Sequence, residues 1–267
     1  MPATDLWPDL LGCLDLSGTA PGVFTGRNQQ LSYHRLFGGQ LLAQFARAAS
    51  LACPGKDLKS LHALFPRAGQ SGEPVRYEVE CHHAGSTFAT LAIVARQAAG
   101  VIATAAVSLH AAEDGPVHQD VLPVTSVPEE KYRVGLDLIP WETRCTAELD
   151  APGTGPPELE LWMRVPPADP ELAPALTAYA TDLTLIGTAL RPLEKVSQRD
   201  SGTAFTSAVT SHTVWFHRPF AAVGWLLLRQ HSPLLAHGRC FGRGDVLTED
   251  GSLVASYAQE ALLRFRP

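Results

Sequence analysis

The sequence lacks the features that define several large classes of protein. No run of uncharged apolar residues approaches the ~20 that a transmembrane helix needs, so we expect no membrane span. The net charge of −6 leaves no basic surface for binding nucleic acid. The five cysteines form neither a C-x-x-C motif nor an even set. This predicts reduced thiols in a cytoplasmic protein rather than a disulfide framework or a zinc site.

Short catalytic motifs are also missing. There is no G-x-S-x-G nucleophile elbow. Gly55-Lys56 lacks the upstream glycine of a P-loop, and Gly242-Arg243-Gly244 lacks the third glycine of a dinucleotide-binding motif. The ten histidines include no pair at the spacing of a metal-binding helix. We therefore expect no cofactor and no metal ion.

What the sequence does contain is a weak internal repeat. The stretch from Ser211 to Phe220 resembles the stretch from Ser60 to Arg67 at an offset of 151 residues. A second pair, residues 101–106 and 253–258, repeats at an offset of 152. Two anchors at nearly one offset indicate a duplication whose halves pack together, although chance similarity between short apolar strands is the alternative.

Hydrophobic periodicity predicts the same order of elements in both halves. Apolar residues at helical spacing predict one helix from Leu41 to Ala52 and a second from Glu171 to about Leu183. Alternating segments predict strands after each helix, at residues 58–65, 75–82, 87–96 and 101–110, then 205–216, 224–230, 236–247 and 253–263. This order is typical of an α+β fold in which a helix lies across an antiparallel sheet.

The two halves are separated by a stretch without periodicity. Residues 111–157 are rich in proline, acidic and small side chains, as expected of a surface linker. We therefore predict an N-terminal unit at 1–115, a linker at 116–157 and a C-terminal unit at 158–267.

Several blocks of the sequence match the pattern of one known family. The two more specific blocks are W-F-H-R-P-F at 215–220 and V-A-S-x-x-Q-E at 254–260. The others are the L-F-G-G-Q stretch at 36–40, His62 and the G-S-T-F turn at 85–88. Together these blocks resemble the type II acyl-CoA thioesterases. The resemblance implies a double hotdog fold, in which two helix-wrapped antiparallel sheets join edge to edge.

The resemblance also implies a reaction and its residues. Family members hydrolyse acyl-CoA to a free fatty acid and CoA. They hold the attacking water with an Asp, a Ser or Thr, and a Gln, without a covalent intermediate. The Asp falls on Asp182 and the Gln on Gln259. A buried Asp182 would have a raised pKa, which strengthens it as a base. The alternatives are an Asp182 that only bonds backbone and a Gln259 that faces solvent.

The sequence differs from the family at the Ser or Thr position, which falls on Val209. The neighbouring Thr210 would face the other side of a regular strand, unless a β-bulge redirects it. Otherwise Ser207 or Ser211 substitutes through a water, or the third contact is missing. We take Thr210 as the third catalytic candidate and Ser211 as a substrate-binding one.

Gly38 and Gly39 are the remaining substrate-binding candidates. They open the first helix, where free backbone N–H groups can hold an anion or an oxyanion. The alternative is a tight turn that lets the helix pack closely against the sheet.

Two other functions stay open at this point. An acyl-CoA-binding module with little or no hydrolysis would explain Val209. An enoyl-CoA hydratase would want an Asp–His pair, but no histidine follows Asp182 within five residues. His62 and His217 lie in apolar strands and are read as structural. The expected partners are an acyl-CoA substrate and further copies of the chain in a homo-oligomer.

Overall fold

The computed structural model describes residues 3–33, 35–150 and 154–266. These residues form thirteen strands in one antiparallel sheet, in the order β1-β2-β4-β5-β6-β3-β10-β13-β12-β11-β9-β8-β7. The strands are β1 Ser17–Ala20, β2 Val23–Gly26, β3 Asp57–Leu64, β4 Val75–Ala84, β5 Phe88–Gln97, β6 Gly100–His110, β7 Arg133–Val134, β8 Glu142–Arg144, β9 Glu158–Arg164, β10 Phe205–Phe216, β11 Leu226–Ala236, β12 Arg239–Thr248 and β13 Leu253–Phe265.

Four α-helices accompany the sheet. They are α1 Ala3–Leu14, α2 Gly38–Ala52, α3 Ala173–Thr181 and α4 Leu185–Leu190, with 3₁₀ turns at Glu130–Tyr132, Pro170–Leu172 and Gln198–Asp200. None of the helices in the described ranges is long and apolar enough to cross a membrane. The predicted α+β class and the predicted strands of both halves are confirmed.

The sequence explains why α2 forms and which face it buries. Its apolar stripe of Leu41, Leu42, Phe45 and Ala49 is buried in the main hydrophobic core. Strand β5 alternates in burial along its length, so one face of the sheet lies under the helices. The helix ends at Ala52 because a proline follows two residues later and cannot continue it.

The seam between the two halves is the pairing of β3 with β10. His62 lies opposite Thr213 at its centre, a difference of 151 in residue number. Antiparallel strands related by a two-fold axis pair in this way, so the register carries the offset of the sequence repeat. The same axis relates the Leu61–Val107 pair of β3 and β6 to the His212–Gln259 pair of β10 and β13.

In the second half, the helix predicted from Glu171 to about Leu183 is a 3₁₀ turn followed by α3, which ends at Thr181, and a separate short helix, α4, follows. Between α3 and α4, the carbonyl of Leu183 accepts a hydrogen bond from Gln198 Nε2 at 2.8 Å, and Thr184 Oγ1 accepts one from Gln230 Nε2 at 2.5 Å. The first bond satisfies a backbone carbonyl at the break. Asp182, the residue that follows α3, lies at this break.

The segment predicted as a linker is partly structured. Strands β7 and β8 lie inside residues 116–157 and extend the sheet beyond β9. The segment near the N-terminus contains α1, which was not predicted as a helix. The unit boundaries at 115 and 158 stay a prediction.

Candidate active site

A cavity of about 1070 Å³ lies between the start of α2, the α3–α4 break and the inner face of β10. It combines apolar walls with a few polar groups, as ligand sites do. Among its lining residues are Gly38, Asp182, Ser207, Val209 and Thr210. Gly39, Ser211 and Gln259 do not line it.

Asp182 is the buried carboxylate of this cavity, and its side chain is almost wholly removed from solvent, with 6% of the residue exposed. Burial raises its pKa to about 7, while the backbone N–H of Gly39 and the charge of Arg35 act in the opposite direction. Its Oδ1 atom accepts no hydrogen bond from the described part of the chain. Unsatisfied buried acceptors are rare in folded proteins and point to a functional group.

The glycines at the start of α2 make room for this carboxylate. A Cβ on Gly38 would lie 2.6 Å from Asp182 Oδ2, closer than real contacts allow. A Cβ on Gly39 would collide with the backbone oxygen of Tyr179 in α3. The helix start predicted to hold an anion therefore faces Asp182 itself, and the helix dipole favours its charge.

His212 is the residue that sequence reasoning missed. It is fully buried in β10, and its Nδ1 lies 2.9 Å from Gln259 Oε1 and 3.9 Å from Asp182 Oδ1. Its Nε2 lies 2.9 Å from Thr181 Oγ1. Burial lowers the pKa of the imidazole to about 4, so His212 is neutral near pH 7. The repeat contained a signal, because the residue at the same place in the first half is Leu61.

The position of His212 also bears on the hydratase alternative. The absence of a nearby histidine in sequence was an unsafe criterion, because the sheet brings one to Asp182 from thirty residues away. However, both ring nitrogens of His212 are within hydrogen-bonding distance of protein groups, Gln259 and Thr181. A neutral ring committed in this way does not act as an acid or base on substrate.

A β-bulge in β10 decides where the candidate hydroxyls lie. Val209 pairs with Ala261 and Ser211 with Glu260, so Thr210 is the extra residue. The bulge brings both Val209 and Thr210 to the cavity wall, as one of the sequence alternatives required. The Thr210 hydroxyl donates a hydrogen bond to the backbone oxygen of Glu260 at 3.1 Å.

The same bulge places Ser211 on the other side of the sheet. Beyond the bulge, His212, Val214 and Phe216 are buried on the inner face. Ser211 alternates with them and lies on the outer face with Trp215. Ser207 does line the cavity, where its hydroxyl lies 3.3 Å from that of Ser201.

Comparisons with known proteins cover nearly the whole chain. The model of the acyl-CoA thioesterase N-terminal domain matches residues 29–110, and that of the C-terminal domain matches residues 114–263. Acyl-CoA thioesterase 2 of Haemophilus influenzae is 31% identical to this chain over an alignment 287 positions long. The alignment covers 98% of this chain and 99% of that protein.

Solved structures show the same architecture. The acyl-CoA thioesterase II TesB2 from Mycobacterium marinum superimposes with a TM-score of 0.80 at 31% identity, over 96% of this chain and 97% of that chain. A hot dog fold protein of unknown function from Alicyclobacillus acidocaldarius gives 0.79 at 18% identity, over 97% and 98% of the two chains. Together with the two matched domains, these likenesses confirm the predicted pair of hotdog units.

Proposed function

This chain belongs to the acyl-CoA thioesterase family, and we propose that Asp182 activates the water with which it hydrolyses acyl-CoA to a free fatty acid and CoA. The observation that carries the proposal is the Asp182 carboxylate. It is buried, lies on the cavity wall and keeps one oxygen without a hydrogen bond from the described residues. That oxygen is suited to accept a proton from a water molecule.

The pKa of Asp182 suits it to this task. A general base works best when its pKa lies near the working pH, and burial raises that of Asp182 to about 7. The ionised carboxylate takes a proton from the water, whose oxygen attacks the thioester carbonyl carbon. The tetrahedral intermediate then collapses, breaking the carbon–sulfur bond. The CoA thiolate leaves and takes up the proton held by Asp182, which regenerates the carboxylate.

Gln259 and Thr210 are assigned supporting roles in the same step. Gln259 does not itself line the cavity, so its role rests on its contact with His212 beside Asp182. Because Gln259 Oε1 lies 2.9 Å from His212 Nδ1, its amide nitrogen is the end left to donate to the water or to the thioester oxygen. The Thr210 hydroxyl donates its proton to Glu260, so it can only accept a hydrogen bond from the water.

A covalent route finds no support in the cavity. The serines Ser32, Ser201 and Ser207 line it, and the hydroxyls of Ser201 and Ser207 bond each other. Among the described residues, none of the three bonds a histidine or carboxylate that would activate it as a nucleophile. Direct attack by water is therefore the reaction that this geometry favours.

The cavity also suits the two parts of the substrate. Leucine, isoleucine and phenylalanine side chains form much of its wall and fit an acyl chain. Arg35 and Arg67 belong to the same wall, and guanidinium groups pair well with phosphates such as those of CoA. Arg218, the other arginine of the repeated motif, does not line the cavity.

Association of the chains is part of the proposal. Trp215 and Phe241 are partly exposed on the outer face of the sheet, where a second copy could cover them. We expect a homo-oligomer in the cytoplasm, and light scattering of the purified protein measures its mass. A monomer at micromolar concentration would contradict this expectation.

One experiment tests the central step. Release of free thiol from acyl-CoAs of short to long chain length is measured for wild type, Asp182→Asn and the control Asp137→Asn. Asp137 is an exposed carboxylate at the edge of the same cavity. We expect Asp182→Asn to lose ~10²- to 10⁴-fold in kcat and Asp137→Asn to keep its activity.

The other outcomes are equally informative. Turnover that survives Asp182→Asn would mean that another group activates the water. Tight acyl-CoA binding without turnover in wild type would favour the binding-module alternative, for which the valine at position 209 is the specific observation.

A further inference from the structure

We infer that His212 is a positioning residue whose Nδ1–H holds the Gln259 side chain with its amide nitrogen toward the reacting groups. This inference rests on the proposed function, since it assigns how one of its residues is oriented. The inference concerns which way the Gln259 amide is turned. Its two ends have similar shape, but Oε1 accepts hydrogen bonds and Nε2 donates them. In the described part of the chain, the hydrogen-bond partner of the Gln259 side chain is His212 and not a backbone group, so a side chain must fix that orientation.

The contacts of His212 leave two consistent arrangements. In the first, Nδ1–H donates to Gln259 Oε1 at 2.9 Å and Nε2 accepts the hydroxyl proton of Thr181 at 2.9 Å. In the second, the amide is reversed, so Gln259 donates to a bare Nδ1 and Nε2–H donates to Thr181. A neutral imidazole carries only one of these protons, so the two arrangements exclude each other.

Asp182 decides between them. Its unbonded Oδ1 lies 3.9 Å from His212 Nδ1. A proton on Nδ1 is attracted by the carboxylate, whereas a bare lone pair there would face negative charge in a site from which water is largely excluded. The Nδ1–H arrangement is therefore favoured whenever Asp182 is ionised and able to act as a base.

Thr181 completes the arrangement from the helix side. Its hydroxyl lies 2.9 Å from both Ala178 O and His212 Nε2, and its single proton serves only one of them. With Nδ1 protonated, that proton goes to Nε2. Tyr257 stacks on the imidazole at 6.1 Å between ring centroids, which holds the ring plane.

The consequence is a donor at the reacting centre. With Oε1 engaged by His212, Gln259 presents N–H groups to the oxygen on which negative charge develops. The reversed amide would present an acceptor and repel that oxygen. His212 touches no reacting atom and acts only through Gln259.

Kinetics of three substitutions test the role. Asparagine places an amide nitrogen near the position of Nδ1, and glutamine places one near Nε2. We expect His212→Asn to keep kcat within about tenfold of wild type, and His212→Gln and His212→Leu to lose ~10²-fold with KM little changed. His62→Asn, on the outer face, serves as the control and should behave as wild type. Equal losses in the Asn and Gln variants, at equal melting temperature, would overturn the inference.

A direct measurement uses the unmodified protein. Nitrogen NMR of ¹⁵N-histidine-labelled protein at pH 8, assigned with His212→Asn, reports which ring nitrogen carries the proton. Protonation at Nδ1 supports the inference, and protonation at Nε2 overturns it whether or not the variants fold. Because the NMR measurement needs no turnover, it tests the position of the proton independently of the proposed hydrolysis.

Discussion

The two halves of the molecule use one scaffold for different purposes. In the second half, His212 and Gln259 face each other across β10 and β13. In the first half, the same register positions hold Leu61 and Val107. All four side chains are buried, so the difference is chemical and not one of exposure. The two units have equivalent positions, and only one of the two pairs carries polar groups.

The strand beside each register pair also differs between the halves: β12 lies beside Gln259, and β5 lies beside Val107. Gln259 pairs with Gly242 of β12, while Val107 pairs with Leu91 of β5. A Cβ on Gly242 would lie 2.7 Å from Leu185 of α4, so the glycine lets the second half of the broken helix approach the sheet. The first half fills the corresponding volume with leucine and remains a hydrophobic core.

The first half also buries polar groups, and one of them, Gln44, is hydrogen-bonded at both ends of its amide. Gln44 accepts a hydrogen bond from the Tyr77 hydroxyl at 2.6 Å and donates to the backbone oxygens of Cys13 and Arg27 at 2.9 Å. Such networks rigidify a core. Asp182 differs because one of its oxygens has no partner in the described residues. The comparison teaches that burial alone does not mark a site, whereas an unsatisfied charge does.

Both halves are nevertheless needed for the site. Asp182, His212 and Gln259 come from the second half, but the helix start that faces Asp182 belongs to the first. A single unit would leave this carboxylate without the Gly39 N–H. We therefore expect one site in each chain, formed at the junction.

Among substitutions that compare the two halves, the largest effect is expected from exchanging the polar member of the register pair. Gln259→Leu, which keeps the volume, should lower kcat by ~10²- to 10³-fold because an N–H donor to the developing charge is lost. Val107→Ala at the matching position should cost stability but leave kcat unchanged, as thiol release and thermal melts would show. Comparable losses of kcat in both variants would contradict the asymmetry between the halves.

The pH dependence of kcat/KM should report the ionisation of the Asp182 carboxylate directly. Because the base must be ionised and its pKa is about 7, kcat/KM should fall about tenfold for each pH unit below that value and be constant above it. Arg35→Gln should move the inflection to higher pH, since the charge of Arg35 lowers the pKa of Asp182. A profile that is flat between pH 5 and 8 would exclude Asp182 as the base.

The same carboxylate should weaken the fold above neutral pH. Its pKa is raised to about 7 in the folded state and is near 4 when unfolded, so folding binds a proton between these values. Wild-type stability therefore falls as the pH rises from 4 to 7. Asp182→Asn lacks this cost and should be more stable at pH 8, by ~1–4 kcal/mol, with no difference at pH 4. Urea denaturation at both pH values measures this.

A stability gain in Asp182→Asn that persists at pH 4 would show that charge is not its cause. Asp137→Asn, which removes an exposed carboxylate, is the control.

The smallest effect is expected at the bulge. Thr210→Val removes an acceptor for the water and a bond to the Glu260 carbonyl, which should lower kcat by about tenfold or less. Thr213→Val, which loses only the bond to His62 on the outer face, is the control. A loss of activity as large as that of Asp182→Asn would make Thr210 more central than its geometry suggests.

Much of the fold was predictable because it depends on local periodicity. Alternation of apolar residues revealed the strands of β3 to β6 and β10 to β13. The helix at α2 followed from its apolar stripe, and the repeat offset reappears in the β3–β10 register. The break between α3 and α4 was not predictable, because its polar partners Gln198 and Gln230 are distant in sequence.

The candidate site divides along the same line. The family resemblance pointed to Asp182 and Gln259, and the helix start at Gly38 was visible as a glycine pair. Whether these residues meet depends on contacts between distant segments, since Asp182 and Gln259 are 77 residues apart and Gly38 and Asp182 are 144 apart. The approach of α2 to Asp182, the bulge that turns Thr210 inward and the burial that makes His212 neutral exist only in the folded chain. Local sequence sets periodicity, whereas distance, burial and pKa arise from packing between the two halves.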